Sequence, residues 1–555
     1  MNAVAYAIGL DFGTASARTL LLDLTSGEER AVCEVAYPHG VIDDMVPETR
    51  QRLPLDWALH DPDDYLAVLE KGVSTVLAEV PAAAGEVIGI GLDATCCTVL
   101  PVTAQGSPLC RDEKWRKKPH SWVKLWKHHA AQPVATRLNE VALERGEEWL
   151  ARYGGRISSE WYFPKLIEIW LEDREIYDAM GAFVEVADWV VWQLSGNEKR
   201  SACPAAYKAF WSGEDGLPSR EYFDAAYPGF GDPWAKLGKE FYPLGTSAGM
   251  LTGEWLERLG LRGEVAVAVG NVDSFVSFPG AGSEGTGDFV MVIGTSICDM
   301  VVHEQEILLQ GITGVAKDGI IPGLFGYEAG QPAVGDMFGW FGEKLLGGSA
   351  ATTLPALEAA AGRYGPGETG LLALDWWNGN RSVLADADLS GVIAGFTLQT
   401  GQPEVYRALL ESIAFGNRAI LDNFRDNGLG VSEIVACGGI AEKSPLLMQL
   451  LSDVSGLAVR VPASTQVPAR GSALFGAVAA GTRHGGFATI SDAARALRPE
   501  TASRFSPDAT AVAAYAPIYG IWKRLHDSLG REHADLLHEL KGQKRLAEAR
   551  LHKGE

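Results

Sequence analysis

The sequence predicts an α/β protein with more than one domain, and three observations carry that reading. Strand-like apolar runs alternate with helix-like ones along most of the chain, the pattern of packed strands and crossover helices. An apolar strand, a tip of glycine and hydroxyl residues and a second apolar strand occur near the start and again about 280 residues later. At 555 residues the chain is longer than a single hydrophobic core sustains.

The first element is the hairpin "AIGLDFGTASARTLLLDL", Ala7 to Leu24. Asp11 interrupts its apolar first half just before Phe12-Gly13-Thr14, and a second strand runs from Thr19 to Leu24. Asp and Gly suit the backbone angles of a tight turn, so this stretch alone allows a plain hairpin as well as a ligand-binding tip. "DDYLAVLEKGVSTVLAEV" (63–80) sets Tyr65, Val68, Leu69 and Val73 at helical spacing, and "EVIGIGLD" (86–93) reads as a buried strand. The segment 111–215, rich in Trp, Lys and His, reads as mostly helical. Glycine- and proline-rich stretches at 278–287 and 322–335 punctuate the middle.

"FVMVIGTSICDMVV" (289–302) repeats the plan of the opening hairpin. Glycine lets a phosphate come close, and successive backbone N–H groups with a hydroxyl can donate to its oxygens. Two such tips suggest two phosphate-gripping hairpins facing each other across a cleft. In "IVACGGIAEKSPLLMQLLSDVSGLAV" (434–459) a strand ends in Gly438-Gly439, and Ser444 with Pro445 opens an amphipathic helix. The two glycines leave room for a nucleotide base, although taken alone a plain strand-to-helix turn explains them. From Pro517 the stripe Ile518, Trp522, Leu525 and Leu529 marks a helix, and the polar end "KGQKRLAEARLHKGE" is expected to fray.

Several classes are disfavoured. Lys plus Arg number 48 against 71 acids, a formal charge of −23, and a nucleic-acid partner needs a basic face. The start "MNAVAYAIGLDFG" lacks the pattern of a signal peptide, and no apolar run is long enough for a membrane span. The seven cysteines are scattered without a CxxC pair, which supports neither a zinc site nor a disulfide framework. A reduced, cytoplasmic protein is the expectation, and Cys96-Cys97 reads as a pair of buried thiols. "GAGSEG" (280–285) leads into a strand rather than a helix, so it is no dinucleotide fingerprint. No GxxxxGK[ST] is present, so any ATP site is not a P-loop.

"GLDFGTASARTLLLD", "GNVDSFVSFPGAG", "IGTSICDMV" and "ACGGIAEKSPLLMQLLSDVSG" occur in the order found in the FGGY carbohydrate kinases, and the chain resembles that family over roughly residues 6 to 485. "SGVIAGFTLQTGQPEVYRALLESIAFG" (390–416) is similar to its second signature. "SSEWYFPKLIEIW" (158–170) is similar to the first, with a longer Lys-to-Trp spacing than in commoner members. The resemblance implies the two-domain actin-like α/β fold with an interdomain cleft. It divides the chain into 1–283 (sugar and phosphate binding, catalytic base), 284–490 (ATP binding) and a mainly helical tail, 491–555. Within the family, "LDATCCTVLPV", "LWKHHAA", "DGIIPGLFGYEAGQPAVGD" and "DWWNGNRS" point to phosphorylation of a ketopentose on its 5-hydroxyl.

The resemblance also assigns residues. Asp273, in "GNVDSF", matches the catalytic base, which would accept the hydroxyl proton as the P–O bond forms. Asp11 would act through magnesium, whose preference is for one or two carboxylates with phosphate oxygens and water. Gly13, Thr14 and Ser16 would cradle the phosphates from one side, and Gly294, Thr295 and Ser296 from the other. Gly438 and Gly439 would face the adenine. The sugar is expected at Ala94, Thr95, Cys96, Lys208, Asp273 and Glu328, with Trp126, Lys127, His128, Gln331 and Asp336 as further candidates. Trp126 reads equally well as core. The implied cofactors are ATP and Mg2+, and the implied partner is a small ketopentose, without nucleic acid or membrane. The oligomeric state, a homodimer among the options, is left open. The alternatives are an FGGY kinase of another ketose or polyol, such as xylulose, and a nucleotide-dependent binding protein of the same fold that phosphorylates no sugar.

Overall fold

The computed structural model describes residues 5–553, and two seven-stranded sheets organise it. The first sheet starts with an antiparallel ribbon of β1 (Tyr6–Phe12), β2 (Ser16–Asp23) and β3 (Glu29–Ala36). β4 (Val87–Ala94) runs parallel to β1 on its other side. β5 (Ser247–Met250), β6 (Ala266–Ala268) and β7 (Asn271–Val272) complete it. Helix α1 (Pro62–Glu79) forms the crossover from β3 to β4; Asp61 caps it by accepting from the Asp63 amide. Its predicted stripe of Tyr65, Val68, Leu69 and Val73 is buried with Ile8 and Leu21 of the sheet.

The aromatic-rich segment folds beside this sheet around α2 (Tyr162–Glu172) and α3 (Ala202–Lys208), with Trp161, Phe163, Phe210 and Tyr222 in its core. A small sheet formed by residues 59–60, 99–102, 123–124 and 182–185 carries it. Helix α4 (Asp273–Gly280) begins directly after β7.

The second sheet contains β8 (Gly287–Ile293), β9 (Ile297–His303), β10 (Gly314–Lys317), β11 (Phe325–Gln331), β12 (Val431–Cys437), β13 (Ala458–Pro462) and β14 (Thr501–Phe505). β8 is antiparallel to β9 and parallel to β12, as β1 is to β2 and β4. The internal repeat in the sequence is therefore a repeat of topology. Helix α5 (Gln402–Asp426) crosses from β11 to β12, and α6 (Pro445–Ser455) opens at Ser444, whose hydroxyl accepts from the Leu447 amide.

Helix α7 (Val467–Ala480) follows the second sheet in sequence but packs on the first. Small residues make this approach close: a Cβ on Gly9 would lie 1.7 Å from the Ala469 carbonyl oxygen, and one on Gly91 1.9 Å from that of Ser472. One continuous core joins Ala7, Leu20 and Leu22 of the first sheet, residues of α4 and α7, and Val290, Met300 and Val435 of the second.

The tail adds more than helices. β14 pairs antiparallel with β13, and α8 (Ala509–Asp527) buries Trp522 against the second half's core with Ile518, Leu525 and Leu529 around it. The polar end expected to fray forms the last part of α9 (Ala534–Lys553), and residues 554–555 lie outside the described residues. His538–Asp386 at 2.8 Å and Arg545–Asp388 at 2.9 Å tie this helix to the body, contacts no local pattern reveals. Among the described residues no helix is long and apolar enough to cross a membrane.

Candidate active site

The two hairpin tips are built alike but not identically. In the first, the Gly13 amide donates to the Ser16 carbonyl at 3.0 Å; in the second, the Gly294 amide donates to the Ser296 carbonyl at 2.9 Å, a turn one residue shorter. Tyr37 Oη donates to the Gly13 carbonyl at 3.0 Å. Thr14 Oγ1 accepts from the Trp126 indole at 2.9 Å, whereas Ser16 Oγ donates to Glu34 Oε1 at 2.6 Å. On the second tip, the amides of Val334 and Gly335 hold the carbonyls of Thr295 and Gly294, which leaves Gly294 and Thr295 exposed and Ser296 half-buried.

Below the first tip lies a group of acids. Asp11 on β1 stands in register with Asp93 on β4. Arg18 Nη1 lies 3.2 Å from Asp11 Oδ2, and Ser472 Oγ of α7 donates to Asp93 Oδ2 at 2.5 Å. Asp93 Oδ1 is buried with no partner. Burial raises the pKa of both carboxyls, and for Asp93 the neighbouring Asp11 charge pushes in the same direction. Asp273 opens α4 next to them, since Asn271 of β7 pairs with Asp93. Burial lifts its pKa to about 7, with the Asp11 charge adding to the shift. Asp11, Asp93 and Asp273 are hard-oxygen donors of the kind magnesium prefers, although among the described residues their oxygens do not all lie within 4.8 Å of one another. Asp93 is a residue the sequence reading passed over; its position, at the carboxyl end of a strand neighbouring β1, was the available signal.

Of the expected sugar residues, Ala94 pairs with Val272, the residue before Asp273, and Glu328 acts on Asp273. Ala94 ends β4, and the Thr95 amide donates to the Phe12 carbonyl at 3.2 Å. Cys97 is buried but Cys96 only half-buried, and their sulfurs are unlinked at 3.9 Å. The neighbouring Cys97 thiol, with burial, raises the pKa of Cys96. Lys208, the last residue of α3, reaches Glu328 of β11 at 2.6 Å. Burial works against the lysine charge, but Glu328 together with Cys96 and Cys97 outweighs it and the net pKa is raised. Asp11 and Glu328 both push the Asp273 pKa up, which places both carboxylates near it.

The further candidates differ in their surroundings. Trp126 is half-buried, bound to Thr14 rather than core. His128 is fully buried, 3.0 Å from Glu168, and burial lowers its pKa to about 3. Lys127 is half-buried and Asp336 exposed. Gln331 turns inward, donating to Asp375 at 2.7 Å and to the Ile413 carbonyl at 3.1 Å. At the carboxyl end of β12, Gly438 has φ +96°, and a Cβ there would lie 2.5 Å from the Ile293 carbonyl oxygen. Gly439 has no atom within 4 Å of such a Cβ, so it forms an open ledge where α/β sheets present ligands.

Two sheets of like topology, each carrying a glycine-hydroxyl hairpin tip, belong to the two-domain actin-like fold of sugar kinases. Residues 289–480 match the model of the FGGY family of carbohydrate kinases, C-terminal domain. The chain is 47% identical over 553 residues to a ribulokinase of Anoxybacillus flavithermus and 48% identical over 553 residues to one of Geobacillus thermodenitrificans, each alignment covering 98% of both chains. A ribulokinase of Mycolicibacterium smegmatis is 41% identical over 560 residues, covering 99% of this chain and 98% of that one. Among solved structures, gluconate kinase from Lactobacillus acidophilus superposes with a TM-score of 0.80 at 16% identity, covering 96% of this chain and all of that one. Xylulose kinase from Rhodospirillum rubrum gives 0.79 at 20% identity with the same coverage; these two speak to the fold alone. The chain belongs to the FGGY family of carbohydrate kinases, with ribulokinases among its full-length relatives.

Proposed function

We propose that the protein transfers the γ-phosphoryl group of MgATP to the 5-hydroxyl of L-ribulose, giving L-ribulose 5-phosphate and ADP, in the breakdown of L-arabinose in the cytoplasm. The observation that carries this reading is the Asp273 carboxyl at the start of α4, beside the strand pair that holds Asp11 and Asp93, with burial raising its pKa to about 7. The ribulokinase relatives supply the sugar.

Lys208 and Glu328 would bind the ketose: the carboxylate accepts from sugar hydroxyls and the ammonium donates to them. Ala94, Thr95 and Cys96 form the wall beside them. Asp273 holds the 5-hydroxyl within hydrogen-bond reach and takes its proton as the oxygen bonds to phosphorus. The amides and hydroxyls of Gly13, Thr14 and Ser16, and of Gly294, Thr295 and Ser296, donate to phosphate oxygens, where oriented donors stabilise the charge of transfer. Adenine lies on the Gly438–Gly439 ledge. Asp11, with Asp93 beside it, would hold Mg2+, which supplies charge neutralisation on the phosphates. We divide the chain into 1–283 for sugar and base, 284–490 for nucleotide and 491–555 as the tail. Closing the cleft between the first two excludes water from the reaction.

Phosphorus and carbon NMR of the product tests the regiochemistry. Phosphate coupling at C5 of L-ribulose supports the reading; coupling at C1, or no product from L-ribulose, overturns it.

A further inference from the structure

Beneath the sugar pocket the chain buries an ionic cluster on one face of α2. Lys165 and Glu168, one turn apart, are 0% and 1% exposed. Lys165 Nζ donates to the Cys97 carbonyl at 2.7 Å and to the Leu125 carbonyl at 2.6 Å. Glu168 lies 2.9 Å from Lys124 Nζ and 3.0 Å from His128 Nε2. The Ala58 amide donates to His128 Nδ1 at 3.4 Å, so the neutral ring carries its proton on Nε2 and donates it to Glu168. The Trp57 ring closes the cluster, 4.1 Å from Lys124 Nζ.

A fully buried ammonium bound only to carbonyls is an expensive way to fill space. Its charge is desolvated, and an apolar side chain of the same length would pack there at less cost. What the charge provides is a link between two segments. Cys97, at φ +62°, turns the loop that places Cys96 and Thr95 in the sugar wall. Leu125 lies between Lys124, held by Glu168, and Trp126. Residues 124, 125 and 128 are therefore fixed to α2, while Trp126 is left to reach Thr14 Oγ1 at the first phosphate tip, 2.9 Å away. One helix face thus sets the spacing between the Cys96 wall and the Trp126 wall.

We propose that Lys165 and Glu168 are positioning residues of the sugar pocket, acting through Cys97, Leu125, Lys124 and His128 to fix Cys96 and Trp126, and so setting the affinity for the ketose. This rests on the ketose-kinase reading above.

The test uses the full chain with Lys165→Met, Lys165→Arg, Glu168→Gln and Trp126→Phe. Initial rates are measured with ketose varied at saturating MgATP and the reverse, alongside sugar-independent ADP release and the unfolding midpoint. Lys165→Met is expected to raise KM for the ketose at least about tenfold, the scale of a lost hydrogen bond to a charged group. KM for ATP and sugar-independent ADP release should stay within about twofold. Lys165→Arg should recover part of the ketose affinity, and Glu168→Gln should share the selective rise. Trp126→Phe alters a half-buried position and tests the same wall if Lys165→Met does not fold; it is judged on the ketose KM alone, because it also frees Thr14 Oγ1 at the phosphate tip. The proposal is overturned if the ketose KM of the folded variants stays within about twofold of the parent, or if both KM values rise equally. If the parent turns over no ketose, the functional reading fails instead; the same KM comparison on whichever sugar it does accept then judges the positioning claim separately.

Discussion

Asp11 and Asp93 face each other in register on adjacent parallel strands, and Ser472, nearly 400 residues further along the chain, holds Asp93 at 2.5 Å. Two neighbouring buried carboxyls cannot both ionise without a cation nearby, and Arg18 reaches only Asp11. The arrangement is stored demand for positive charge at the foot of the first phosphate tip. Asp11→Asn should raise the Mg2+ concentration for half-maximal activity at least about tenfold, with Asp93→Asn and Ser472→Ala giving smaller rises in that order. Mn2+ titration followed by electron paramagnetic resonance, in the presence of ADP, reads the same affinities without turnover. Unchanged binding in Asp11→Asn would remove it from the metal site.

Asp273 ties the chemistry to pH. A base must be ionised to accept a proton, and its folded pKa is raised to about 7, mainly by burial. kcat/KM should therefore climb with pH to a plateau, with its midpoint near 7. The sign for stability is opposite. The folded state holds this proton more tightly than the unfolded chain, so its contribution is complete below 3.8 and is lost as pH rises through about 7. Asp273→Asn should consequently unfold at a higher temperature than the parent at pH 8, with turnover reduced about 10²-fold to 10⁴-fold. A flat kcat/KM profile between pH 5 and 9 would contradict the assignment of this group as the base.

Lys208 and Glu328 are 6% and 8% exposed and come from opposite halves of the chain. Removing one partner strands the other charge, which in buried pairs costs about 3–5 kcal/mol. Lys208→Met and Glu328→Gln should each lower stability in denaturant titrations, and the double variant should recover part of the loss. Sugar turnover should not recover with it, because both side chains are needed for the ketose. Recovery of activity in the double variant would mean that the pair serves packing alone.

The glycines at the end of β12 separate strain from access. Gly438→Ala places a Cβ 2.5 Å from the Ile293 carbonyl at φ +96°, so it should destabilise the protein. Gly439→Leu meets no atom within 4 Å of its Cβ, so it should fold normally and raise KM for ATP. Calorimetry with an ATP analogue, read beside unfolding curves, distinguishes the two. Equal ATP affinity in folded Gly439→Leu would move the adenine elsewhere.

What the sequence made legible is local. The hairpin around Gly13, its repeat around Gly294, the α1 stripe and the Ser444 cap all lie within short windows, where periodicity and turn chemistry act. Asp273 stood out through its motif. The rest depends on contacts between distant residues. Lys165 bonds to carbonyls 40 and 68 positions away, and nothing near "FPKLIEIW" signals a buried ammonium. His128 sits in a polar stretch that suggests a pocket residue, yet Glu168, 40 positions on, draws it into the interior. β14 is exposed along most of its length, so it lacks the apolar alternation that would mark it as a strand. The contacts of α9 with Asp386 and Asp388 are invisible in the sequence because those partners lie about 150 residues upstream.

The most direct measurement of the central claim is coupled ADP release with MgATP and L-ribulose, D-ribulose, L-xylulose, D-xylulose or glycerol, on the parent and on Asp273→Ala. The account predicts fast turnover with L-ribulose that Asp273→Ala abolishes while the circular dichroism and unfolding curve remain those of a folded protein. Turnover that no sugar stimulates, or that survives in Asp273→Ala, would contradict it.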